Sequence, residues 1–131
     1  MAVTIVRLAD QNSGFLTSSS ASTTYVQKNQ SIVNIEEIDF TLIAENSGKL
    51  YVINPGVLGI GIFIPNNSYV EIPVGAKFDF FQKGAGTIDF LASDSMITTI
   101  YGSSFATAGQ YSKVTAVKIA TEEWCLFGDL V

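Results

Sequence analysis

The sequence predicts an all-β protein: an antiparallel β-sandwich or barrel-like domain of about nine short strands, preceded by an extended N-terminal arm. Three observations lead there. Over residues 32–131, apolar residues alternate with polar ones or run in short apolar blocks, the patterns of half-buried and fully buried strands. Clusters of Gly, Pro, Asn and Ser interrupt the blocks every 8–12 residues or so, the spacing of a sandwich or barrel. No stretch carries a convincing helical period, and the uneven strand spacing shows no internal repeat.

Residues 1–31 stand apart. Val3, Ile5 and Val6 have the makings of a short strand. From Thr17 to Thr24 every residue except Ala21 is Ser or Thr. Such a stretch buries too little apolar surface to offset its ordering entropy. It is expected to be a flexible arm that lies extended against a neighbouring subunit, with Val3, Ile5, Phe15, Leu16, Tyr25 and Val26 as contacts, or else a plain disordered tail.

The β-domain is expected to occupy residues 32–131. Residues 32–35 form a short strand. Residues 39–44 alternate Phe40 and Leu42 against Thr41 and Ile43, and Asn46-Ser47-Gly48 turns the chain so that residues 49–53 return as a hairpin partner. Asn54-Pro55-Gly56 breaks the pattern. Gly59-Ile60-Gly61-Ile62 places glycines on one face, either for close packing on a neighbouring backbone or at a bulge. Pro65-Asn66-Asn67-Ser68 breaks it again.

The central stretch is IPVGAKFDFFQKGAGTIDF, residues 72–90. Ala76, Phe78 and Phe80 share one face of a strand, with Lys77, Asp79 and Phe81 on the other. Ile88 and Phe90 continue after Lys83-Gly84-Ala85-Gly86. The expectation is an antiparallel hairpin with an aromatic inner face, Gly84 and Gly86 supplying positive φ in its loop. Residues 96–101 form a further apolar run. Residues 111–120 are the longest strand candidate, with Val114, Ala116 and Lys118 opposite Thr115, Val117 and Ile119. Residues 124–127 close the domain, with Trp124 a core ring set against the aromatic hairpin.

Composition narrows the function classes. Apolar residues make up 47% of the 131 and charged residues only 15%, an apolar excess that points to a surface facing a partner, or else to a two-sheet sandwich whose strands are mostly buried. The net charge of −5 and the scattered cations argue against nucleic acid and against an anionic membrane surface. No run approaches the length of a membrane helix, and no signal peptide is visible, so synthesis in a cytoplasm is expected. Cys125 is the one cysteine, expected to be a small buried apolar group.

Chemistry is sparse. The chain has no histidine, which removes Ser-His-Asp and Cys-His catalysis and the usual zinc ligands. Gly59-Ile60-Gly61 lacks the third glycine of a dinucleotide loop. Glu36, Glu37 and Asp39 crowd one junction, and Asp89, Asp94, Glu122 and Glu123 lie at strand ends. They are expected to be solvated turn charges rather than a glycosidase pair or a Ca²⁺ site. No catalytic residue, cofactor or metal is expected.

Three blocks, in order, carry a resemblance. FTLIAENSGKLYVIN (residues 40–54), IPNNSYVEIPVGAKFDFFQKGAGTIDF (64–90) and GQYSKVTAVKIATEEWCLFGDL (109–130) resemble a β-module of tailed-bacteriophage virion proteins, found in capsid decoration proteins and at the C-terminal ends of tail fibres. Residues 96–100 carry less glycine than that module's pattern, and residues 1–31 lie outside it. The resemblance implies an antiparallel, non-enzymatic, commonly trimeric β-domain. Its shared positions are turn glycines and core aromatics, matched by Phe78, Phe80, Gly84, Gly86, Phe90 and Trp124. A capsid decoration (cement) protein in a virion assembled in the host cytoplasm is expected, with itself, as a homotrimer, and the major capsid protein as partners. A chain this small, starting at Met1, is expected to be complete, with no room for a fibre shaft. The alternative is a small tail-fibre component recognising host sugars through Tyr101, Phe105 or Tyr111.

Overall fold

A computed structural model describes residues 29–131 of the chain. The arm contacts expected at Val3, Ile5, Phe15, Leu16 and Tyr25 lie outside the described residues. Nine strands follow: β1 (Ile32–Glu36), β2 (Phe40–Thr41), β3 (Leu50–Asn54), β4 (Ile60–Ile64), β5 (Lys77–Gln82), β6 (Ile88–Ala92), β7 (Thr99–Tyr101), β8 (Lys113–Ala120) and β9 (Glu123–Gly128). A 3-10 turn at Ala44–Asn46 is the helical element among the described residues. The all-β class therefore holds, and residues Ser31–Val131 form one compact unit.

The strands form two sheets, ordered β1-β3-β5-β8-β9-β7 and β2-β4-β6. The first six alternate strictly between them. Each therefore lies beside the strand two places earlier, and the resulting ladders β1–β3, β3–β5, β2–β4 and β4–β6 are all parallel. The pairing differs from the antiparallel expectation: among the described strands the antiparallel ladders are β5–β8 and β8–β9, and β7 joins β9 in parallel. The chain winds like a coil of two-strand turns. The turns differ in length, since Ile32 lies beside Leu50 but Leu50 lies beside Asp79, so the winding leaves no sequence repeat.

Both expected hairpins are corrected by this winding. β3 does not return on β2; it lies between β1 and β5 in the larger sheet. β5 and β6 do not pair either, because the loop between them crosses from one sheet to the other and sets β6 on β4. Alternation reports which side of a strand is buried. It does not report which neighbour receives the strand's hydrogen bonds, so the facing was legible and the pairing was not.

The core lies between the sheets. Tyr51 and Ile53 of β3, Phe78 and Phe80 of β5, Val114 and Ala116 of β8, and Trp124 and Leu126 of β9 meet Ile60, Ile62 and Ile64 of β4 and Ile88 and Phe90 of β6. An aromatic chain runs through it. Phe40 stacks on Tyr51 at 5.0 Å and Tyr51 on Phe80 at 5.3 Å, while Phe80 meets Phe90 edge-on at 5.2 Å and so bridges the sheets. Trp124 is fully buried, with its ring 5.9 Å from Phe78.

Three further expectations are corrected. Cys125 and Phe127 occupy the outer face of β9, so Cys125 is half-buried and Phe127 exposed, while Trp124 and Leu126 point inward. Residues 96–98 are a turn rather than strand: Asp94 accepts hydrogen bonds from Met96 and Thr98, leaving Met96 95% exposed. Tyr111, with φ of 70°, belongs to the turn before β8.

Candidate docking end

The loops that follow β1, β3 and β5 stack at one end of the domain as successive turns of the coil. Glu37 N donates to Asn54 O at 2.8 Å, Lys83 N to Ile53 O at 2.7 Å, and Ile60 N to Thr87 O at 2.9 Å. Side chains brace the same stack. Asp39 Oδ1 accepts from Gly61 N at 2.7 Å, and Asn54 Nδ2 donates to Glu36 Oε1 at 3.2 Å. These carboxylates, expected to be solvated turn charges, hold neighbouring loops in register.

Glycine is required here for space. Neither Gly84 nor Gly86 has positive φ, contrary to the expectation for a hairpin loop. A Cβ on Gly86 would run into the carbonyl oxygen of Gly56, and one on Gly84 into the side chain of Asn54. Gly59 combines both demands, with φ of 79° and a Cβ position 2.6 Å from Thr87 O. The two glycines of Lys83–Gly86 thus let one loop lie flat on the next.

Gln82 ties this stack to the core. Its side chain is fully buried, yet every polar atom is engaged. Nε2 donates to Gly84 O at 2.9 Å and to Gly86 O, and Oε1 accepts from Thr107 Oγ1. A buried amide that is satisfied on both sides rigidifies what it touches. Sequence alone does not single out Gln82, because a polar residue at a strand's end is usually solvated and only its inward facing marks it as a clamp.

On this rigid base the Asn54–Gly59 loop presents Val57 and Leu58, 98% and 99% exposed, with Ile38 of the preceding loop also exposed. Together with Glu37, Asp39, Pro55 and Ala85 they line a cleft of ≈ 750 Å³. Glu37 sits at φ of 52°, an uncommon conformation for a residue other than glycine. Adjacent apolar side chains at near-full exposure, flanked by carboxylates and held on a braced loop, suit contact with an apolar recess bordered by basic groups. The sequence offers no sign of this, since the exposure of Val57 and Leu58 depends on how the neighbouring loops stack.

The other residues singled out in the sequence lie elsewhere. Phe78, Phe80, Phe90 and Trp124 are core residues. Tyr101, Phe105 and Tyr111 are exposed but belong to separate segments, and Tyr111 stacks on Phe81 with centroids 6.3 Å apart. Among the described residues no group of three or more His, Cys, Asp or Glu side chains is placed to hold a metal ion, and no helix is long and apolar enough to cross a membrane. No family model, curated protein or solved structure matches the chain.

Proposed function

We propose that the chain is a structural protein of a bacteriophage virion: a capsid decoration protein that binds and stabilises the mature head without enzymatic activity. The observation that carries this reading is the docking end, where Val57 and Leu58 project almost wholly into solvent from a loop clamped against two others. The resemblance of three sequence blocks to virion β-modules supplies the class of partner. The chain acts as a homotrimer on the major capsid protein, which offers an apolar recess bordered by Lys or Arg. Binding only the expanded shell stabilises that state by mass action. The N-terminal arm adds contacts by strand addition.

The test replaces both apolar groups. Burying two such side chains is worth about 3–6 kcal/mol, or roughly a hundredfold or more in affinity. Val57→Asp with Leu58→Asp is expected to lose that binding to purified particles, while stability changes by no more than about 0.5 kcal/mol. Undiminished binding overturns the docking role. Immunogold labelling places the partner: gold over the head supports decoration. Gold confined to the tail favours the tail-fibre reading, for which the exposure of Tyr101, Phe105 and Tyr111 speaks.

A further inference from the structure

Alternation along β8 turns Lys118 inward, beside Trp124 on β9, and leaves it only 2% exposed. Its backbone is pinned from both sides: Lys118 N donates to Ala76 O at 3.0 Å, and Gly75 N donates to Lys118 O at 2.7 Å. Nζ donates to Ile72 O at 2.7 Å and to the side-chain oxygen Oδ1 of Asn67, also at 2.7 Å. Asn67 is fixed in turn by Glu122, whose two carboxylate oxygens both accept from Asn67 N at 3.0 Å. Thr98 Oγ1 donates to the same carboxylate at 3.2 Å. A primary amine is thus held against a side-chain amide, with both partners anchored by backbone hydrogen bonds.

We propose that Lys118 and Asn67 join in an intramolecular amide crosslink, formed by attack of the Lys118 amine on the side-chain amide carbon of Asn67 with release of ammonia. Nothing in this proposal depends on the virion reading. The reaction balances within the protein. A bond forms between Nζ and Cγ, and the bond between Cγ and Nδ2 breaks. One proton leaves Nζ, and Nδ2 departs with it as ammonia. No oxidant, metal or co-reactant is consumed.

Three features favour the step. The hydrogen bond to Oδ1 sets Nζ next to the carbon it must attack, and rotation about the Cε–Nζ bond turns the nitrogen lone pair toward that carbon. Fixed proximity of this kind removes much of the entropic barrier to a bimolecular reaction. The attacking amine must be uncharged, and burial holds the Lys118 amine below its ordinary value of 10.5, against the opposing pull of Glu122 and Glu71. Glu122 acts as a positioning residue, orienting Asn67 through its backbone N–H. The product ties the β4–β5 connection to β8 across 51 residues of sequence.

The experiment is the intact mass of the full chain, purified and measured under denaturing conditions. The expected mass lies one ammonia below the sequence mass, after allowing for removal of Met1. Proteolysis is expected to release a branched peptide joining the Asn67 and Lys118 segments. Full sequence mass, with both segments recovered as linear peptides, overturns the proposal. Cyclisation of an asparagine onto its own backbone also releases ammonia, and Lys118→Arg separates the two reactions whether or not that variant folds. The deficit is expected to vanish in Lys118→Arg; a deficit that persists there overturns the crosslink.

Discussion

Trp124 and Lys118 are register partners on β9 and β8, and both are buried. For Trp124 the gain and the cost can be compared. The indole N–H has no hydrogen-bond partner among the described residues, a burial cost of about 1–3 kcal/mol. Covering 150–250 Å² of ring returns roughly 4–6 kcal/mol, so packing wins. Trp124→Ala is therefore expected to lose about 3–5 kcal/mol in chemical denaturation; near-unchanged stability would remove Trp124 from the core. Lys118 reaches the interior by the same alternation that places Val114 and Ala116 there. It is tolerated because its nitrogen finds Ile72 O and Asn67 Oδ1 at the end of an apolar stem.

Among the elements, the loops at the docking end show how one glycine pattern serves two different geometries. In a tight hairpin, paired glycines supply positive φ. Here Gly84 and Gly86 supply flatness, and the positive φ angles at this end fall to Gly56 and Gly59. Gly86→Ala is expected to cost about 1–3 kcal/mol by overpacking against the Gly56 carbonyl, read as a lowered urea midpoint. Gly48→Ala is the complementary case: none of the described residues lies within 4 Å of its Cβ position, and φ of 81° sets a penalty there. A Gly86→Ala variant as stable as wild type would show that the loops do not stack tightly.

For the whole molecule, alternate delivery of strands to two sheets makes parallel pairing unavoidable. Consecutive strands in one sheet can return antiparallel, but strands separated by a full turn of the coil must run the same way. Only after β7 does the chain stay in one sheet long enough to form a hairpin, β8–β9. The core described above is drawn from one compact unit, Ser31–Val131. A chain lacking residues 1–25 is therefore expected to retain cooperative unfolding. On the proposed function it is also expected to lose particle binding, measured by co-sedimentation. Retained binding by this truncation would refute the arm's role, and loss of folding would make the arm part of the domain.

Local pattern alone was enough for the all-β class, most strand positions, and the inward facing of Phe78, Phe80, Phe90 and Trp124. Each follows from interactions within a few residues: side-chain alternation and turn chemistry. The tertiary structure decided the rest. It set β5 beside β3 and β8 rather than β6, turned the glycines of Lys83–Gly86 into spacers, and made Gln82 a clamp. It also brought Lys118 against Asn67 and left Val57 and Leu58 bare. Those outcomes depend on which distant segments share a sheet. A strand satisfies its backbone hydrogen bonds equally well with many partners, so its own residues do not choose the neighbour; packing of the whole core does.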